Sequence, residues 1–217
     1  TLFPYTTLFR SMPHRTRYAS GCAAAPGSNN GVAGAFGLFA ALGVVIVIWP
    51  KAGSRFEFAR LSLWLAGFAF VHGTLEWMDL WRVVRGDNPA LAAARPLTLL
   101  ASYVLLFEFG RRTLRATQPK APQAWWAGGW IHGLLLGGIA AGTLAHAASL
   151  DSLAIWSRYL YGFPGALLSA IGLQAYIGQR IRSELSGHEF PAVRRNCLLA
   201  CAALTAYGVL GELIVPQ

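Results

Sequence analysis

The sequence predicts an all-α fold, a polytopic transmembrane bundle of about six helices. Three observations predict it. First, 55% of the 217 residues are hydrophobic and only 12% are charged, about half the charged share of an ordinary soluble domain; the mean hydropathy is +0.45. Second, the apolar residues gather into runs close to the roughly 20 residues that a helix needs to cross a bilayer. Third, the chain holds 24 Gly and 8 Trp, the first tolerated inside membrane helices and the second favoured at their ends. A β-barrel needs strands of about 9–11 residues with alternating polarity; these runs are longer and apolar on all sides.

Along the chain, residues 1–11 (TLFPYTTLFRS) read as the in-frame translation of a sequencing-adapter oligonucleotide and are set aside from fold reasoning. Met12 is then the earliest expected start. Residues 12–30, rich in Ser, Gly, Ala and Asn and without periodicity, are expected to be a disordered tail. One membrane domain is expected over 31–217, with no second folded domain beside it. Its first segment covers about 31–49 and ends at Pro50-Lys51. The second covers about 61–81. The third covers about 96–109 and stops at Gly110-Arg111-Arg112; it is short unless it starts near Ala90 and takes in Arg95. The fourth covers about 125–147. The fifth covers about 156–177 with Pro164 inside, and either starts as an interfacial helix capped by Asp151 or spans with a kink at the proline. The sixth covers about 197–215.

Basic residues set the orientation. Lys51, Arg55 and Arg60 follow the first segment. Arg111, Arg112, Arg115 and Lys120 follow the third, and Arg180, Arg182, Arg194 and Arg195 the fifth. The other connections hold only Arg82, Arg85 and Arg95, or Arg158 alone. The positive-inside rule puts the richer loops in the cytoplasm and both termini outside; Arg15 and Arg17 in the tail run against it. Trp49, Trp125 and Trp126 then fall at the cytoplasmic boundary, and Trp77, Trp81, Trp156, Tyr159 and Tyr161 at the outer one, where amphipathic rings settle. The net charge of +9 lies in these short clusters. They form no contiguous basic face, so no nucleic acid is expected as a partner; the lipid bilayer is. Gly138 and Gly142 form a GxxxG pair suited to close helix packing. Cys22, Cys197 and Cys201 are odd in number and lack disulfide spacing; the last two are read as small packing residues.

His72, Glu76 and Asp79 recur at i, i+4 and i+7 and so share one helical face. An ionisable group at the bilayer centre costs on the order of 2–3 kcal/mol, so this face is expected to turn into the bundle, His72 near the middle and the acids nearer the outer surface. Glu108 closes the third segment beside Arg111 and Arg112, where a local ion pair is the plain expectation. His132 lies in the inner half of the fourth. His146 and Glu212 lie near outer helix ends, at the level of Glu76 and Asp79. The stripe fits interhelical hydrogen bonds of about 1 kcal/mol each, a pocket for a signal or ligand, or a metal or haem site built from His72, Glu76, His132 and His146. No two histidines stand at matched depth, and no metal or other cofactor is assigned. The chain has no nucleophile motif, phosphate loop or HExxH, and no catalytic residue is assigned. Ser102 and Ser169 are read as packing residues.

The stretch Phe70-Val71-His72-Gly73-Thr74-Leu75-Glu76-Trp77-Met78-Asp79-Leu80 resembles the HGxxEWxD helix in the N-terminal membrane region of certain bacterial sensor histidine kinases and related diguanylate cyclases. Leu105-Leu106-Phe107-Glu108-Phe109-Gly110-Arg111-Arg112 resembles the same family's LLEFGRR helix end. Tyr161-Gly162-Phe163-Pro164-Gly165-Ala166 and Ala206-Tyr207-Gly208-Val209-Leu210-Gly211 are similar to two later segments, in the expected order. The resemblance covers about 31–217. It implies a multi-pass protein of the bacterial inner membrane that senses a small signal molecule, signals as a homodimer, and continues into another helix and cytoplasmic output domains. This chain would then be a truncated fragment without enzymatic activity of its own. The expected sensing residues are His72, Glu76, Asp79, His132 and Glu108. Two other readings stand beside this one. An intramembrane metal-dependent enzyme would use His72, Glu76, Asp79 and His132 or His146. A small transporter would show paired broken helices, whereas only Pro164 interrupts a segment.

Overall fold

The computed structural model describes residues 58–86, 88–117, 128–146, 148–181 and 190–213. They form five helices, with no strand among the described residues. Helix α1 is Phe58–Arg85, α2 is Pro89–Thr117 and α3 is Trp130–Ala145. Helix α4 starts as Leu150–Ser157, widens into a π turn at Arg158–Gly162, continues over Phe163–Tyr176 and ends in a second π turn, Ile177–Ile181. Helix α5 is Phe190–Ala206 and closes in a π turn at Tyr207–Leu213. The adapter-like stretch, the tail, the first expected segment, and Trp125 and Trp126 lie outside the described residues.

Local chemistry places the helix ends, and several differ from the hydropathy boundaries. Gly86 ends α1 with φ +86°, a left-handed conformation that costs glycine nothing, and its N–H donates to the Arg82 carbonyl at 2.9 Å. Two residues on, the Asn88 side chain accepts from the Ala90 N–H at 2.9 Å. Pro89 takes the first helical position, where a missing N–H does no harm. Helix α2 therefore includes Arg95. At its other end Gly110 does not stop the helix, contrary to expectation. The chain runs on to Thr117, with the Thr113 hydroxyl donating to the Phe109 carbonyl at 2.7 Å. The N-cap of α4 is Ser149 rather than Asp151: Ser149 has the extended backbone a cap needs, and its Oγ accepts from the Ser152 N–H at 3.1 Å. The π turn of α4 immediately precedes Pro164. Proline has no N–H for the Leu160 carbonyl, so the α ladder fails there and a wider turn fills the gap.

Paired residues give the directions. His72 meets Ser102 and Asp79 meets Arg95, so α1 and α2 are antiparallel. Gly142 meets Trp156 and Cys201 meets Ala170, so α3 and α5 both run against α4. Helices α2 and α4 run the same way and make the closest approach. A Cβ on Gly110 would sit 2.5 Å from the Ser169 nitrogen, and one on Gly172 would sit 2.9 Å from the Gly110 oxygen. The Ser169 hydroxyl donates across this seam to the Leu106 carbonyl at 2.9 Å. Helix α2 is the central element, burying Leu99, Tyr103, Leu106, Phe107 and Phe109. The Gly138/Gly142 pair receives the ends of Leu160 and Trp156. Tyr161, expected at the outer boundary, is instead fully buried.

The outward faces are apolar: Leu134, Leu144, Ile171, Leu199 and Leu210 are all more than half exposed. Pro89–Thr117 and Leu150–Gln179 are long and apolar enough to cross a membrane.

Candidate functional site

Two histidine-centred clusters lie along α2. In the first, His72 of α1 is 5% exposed. Its Nδ1 lies 3.3 Å from Ser102 Oγ on α2, and its Nε2 lies 3.2 Å from the Tyr207 hydroxyl on α5. The Ser102 hydroxyl proton is already given to the Leu99 carbonyl at 2.7 Å. Its oxygen can therefore only accept from the ring, which puts the hydrogen of a neutral imidazole on Nδ1 and leaves Nε2 to accept from Tyr207. Phe68 stacks on the ring at 5.1 Å, and Tyr207 meets it edge-on at 5.7 Å. Glu76, one turn further along α1, brings Oε1 to 3.8 Å from Nε2 and keeps 29% of its side chain exposed. That is too long for a hydrogen bond, and it becomes an ion pair only when the imidazole carries a proton. One ring thus joins three helices, with a carboxylate leading outward from it.

The second cluster surrounds Glu108, a buried carboxylate. Arg111 grips it with both ends of its guanidinium, Nε to Oε2 and Nη2 to Oε1, each at 2.7 Å. Arg112 Nε donates to Oε1 as well, and its guanidinium lies 4.3 Å over the Trp64 ring of α1. From α3, His132 places Nε2 3.1 Å from Glu108 Oε2 and Nδ1 2.9 Å from the Tyr161 hydroxyl of α4. The carboxylate accepts, so Nε2 donates; the Tyr161 hydroxyl stands between Nδ1 and the His132 carbonyl, 3.4 Å away. Charge-assisted, forked pairing of this kind is what makes a buried carboxylate tolerable. The arrangement ties four helices together and carries a continuous line of hydrogen bonds from Tyr161 to Arg112.

The five residues singled out in the sequence thus fall in different places. His72 and Glu76 come together. Asp79 shares their face but is taken by an ion pair with Arg95 of α2. Glu108 and His132 form the other cluster, six residues along α2 from Ser102, or roughly 9 Å of helical rise. His146 does not join the acids at the outer end: it is exposed, its Nδ1 faces the Gly142 carbonyl at 3.1 Å, and its ring lies beside Trp156. The Glu212 side chain lies outside the described residues. Among the described residues, no three His, Cys, Asp or Glu side chains converge as metal ligands would.

Sequence reasoning passed over Ser102, Tyr161, Tyr207 and Arg158. Arg158 opens the first π turn of α4 within electrostatic range of His72, and its Nε is buried without a hydrogen-bond acceptor. The two tyrosines had a shared signal: each is followed by glycine inside an apolar run, Tyr161-Gly162 and Tyr207-Gly208. Comparison with protein-family models, curated proteins and solved structures returned no match.

Proposed function

We propose that the chain is the membrane-embedded sensory module of a bacterial signal-transduction protein, with the His72–Glu76 pair as the place where a small signal molecule or ion acts. The observation that carries this reading is the joint at His72. A single imidazole is held by hydroxyls from two other helices, and a partly exposed carboxylate stands next to it. A signal that engages Glu76 or the ring changes the hydrogen bonds that hold α1, α2 and α5 together. It shifts the bundle to the extent that it binds one packing better than another. The Glu108 cluster, clamped from four helices, acts as the fixed end against which the outer end moves.

Several features support placing the module in a bilayer. Two helices have the length and apolarity to span it, and the outward faces are apolar. Exposed Arg60, Arg112, Arg115, Arg194 and Arg195 stand at the start of α1, the end of α2 and the start of α5. The antiparallel order brings these to one end, which we assign to the anionic cytoplasmic leaflet.

The test joins the chain, through one added transmembrane helix that brings it back to the cytoplasmic side, to a histidine-kinase output domain. His72→Gln and Glu76→Gln are expected to change kinase activity several-fold in protein that still folds and unfolds cooperatively in detergent. Arg82→Gln, on an exposed position, is the control. Unchanged kinase output from folded His72 and Glu76 variants rejects the sensory role of this pair.

A further inference from the structure

The tyrosines that complete the two histidine clusters both sit in π turns. Tyr161 lies within Arg158–Gly162 and Tyr207 opens Tyr207–Leu213, and these two turns pack against each other. A π turn holds one more residue than the α ladder accommodates; it is rare, and frequent among functional sites where it does occur. The turn in α4 has a local cause in Pro164. The turn at the end of α5 is also followed by a proline, Pro216, and it is held from the side by what it touches. Gly208 is pressed against α4, where an added Cβ would come 2.8 Å from Ala166 Cβ. Tyr207 is held at its hydroxyl by His72 and meets Phe68 at 6.1 Å.

We propose that Tyr207 is the coupling residue of the His72 site. Its hydroxyl, held by the imidazole, keeps the end of α5 in the wide register, and loss of that hydrogen bond closes Tyr207–Leu213 to the α register. Closing removes one residue from the turn, so the chain beyond it turns by about 100° about the helix axis. Gly208 and Gly211 lower the resistance to such a change, since glycine favours neither register strongly. A rearranged hydrogen bond of a few tenths of an ångström at His72 thus becomes a rotation of the last described helix end. The nature of the trigger rests on the sensory reading above; the coupling between Tyr207 and the turn does not.

The experiment uses the full chain in lipid nanodiscs, with native cysteines replaced by alanine and spin labels at Ile171 and Leu210, exposed positions on α4 and α5. Tyr207→Phe, which differs by one oxygen, is expected to move the label-to-label distance by on the order of 5 Å, half a helix diameter. His72→Leu should move it to the same value, and the double variant no further. An unchanged distance in Tyr207→Phe overturns the proposal, whether or not His72→Leu folds. A folded His72→Leu protein that keeps the original distance also overturns it. A shifted distance alongside unaltered kinase output in the Glu76→Gln fusion leaves the coupling standing and removes the sensory reading. The opposite pair of results removes the coupling alone.

Discussion

Ser102 decides which nitrogen of His72 carries the hydrogen, because its own proton is committed to Leu99. Ser102→Ala therefore leaves Nδ1–H facing an apolar wall. We expect a loss of about 1 kcal/mol, measured as a lower midpoint in denaturing-detergent titration, and a midpoint equal to the parent's would contradict the assigned hydrogen bond. The second cluster allows a sharper contrast. Glu108→Ala strands Arg111, whose side chain is 9% exposed, and should cost about 3 kcal/mol or more, as removing one member of a buried pair does. Arg112→Ala removes a guanidinium that is 45% exposed and should cost under about 1 kcal/mol. Equal losses would mean that the burial of Arg111 does not matter. His72 and Glu76 were legible in the sequence because i, i+4 spacing alone brings two side chains together on a helix. Asp79 passed the same test and went elsewhere: periodicity names a face and not a partner, and Arg95 lies in a stretch that hydropathy left at the margin of its segment. Tyr207 was illegible for a different reason, since a tyrosine near the end of an apolar run looks like an interfacial ring whether it faces lipid or a histidine.

Helices meet here at backbone distance, so their contacts depend on what is missing from a side chain. Gly110→Ala puts a methyl group 2.5 Å from the Ser169 nitrogen, and backbone cannot move aside as a flexible side chain does. We expect about 1–3 kcal/mol of destabilisation and looser α2–α4 packing, seen as faster hydrogen exchange along both helices. Gly86→Ala meets nothing within 4 Å, yet its φ of +86° is strained for alanine and should cost about 1 kcal/mol. The first substitution fails through space and the second through torsion. Only the second needs no partner helix to explain it. The GxxxG spelling led to Gly138/Gly142, which seats Leu160 and Trp156. The closer seam, Gly165 against Phe107 with Ser169 and Gly172 against Gly110, was hidden because Gly110 beside two arginines reads as a helix stop. It is a helix interior, since Glu108 takes up the charge of those arginines and leaves the ladder free to run on.

At the scale of the molecule, the alternating helices bring Arg60, Arg112, Arg115, Arg194 and Arg195 to one end and leave Arg82 and Arg85 at the other. In the proposed orientation a cysteine at Val84 faces outward and one at Arg115 faces the cytoplasm. An impermeant maleimide added to intact cells should label Val84→Cys and spare Arg115→Cys in a background without native cysteines; the reverse pattern would turn the bundle over. The all-α class was legible from composition alone. Which helices complete each cluster was not, because that depends on which helices are neighbours, and α2 and α4 run parallel only because a whole helix intervenes between them in the chain. Helix α3 adds something to this picture. It has 16 residues, roughly 24 Å of rise, against about 30 Å of hydrocarbon in an average bilayer, while α2 with 29 residues exceeds that depth. A membrane wrapped around this bundle is therefore pinched beside α3 and full beside α2. In the proposed bilayer setting, lengthening the acyl chains would strain the α3 flank most, which would make bilayer thickness a force applied off-centre, next to His132 and the seat of Trp156.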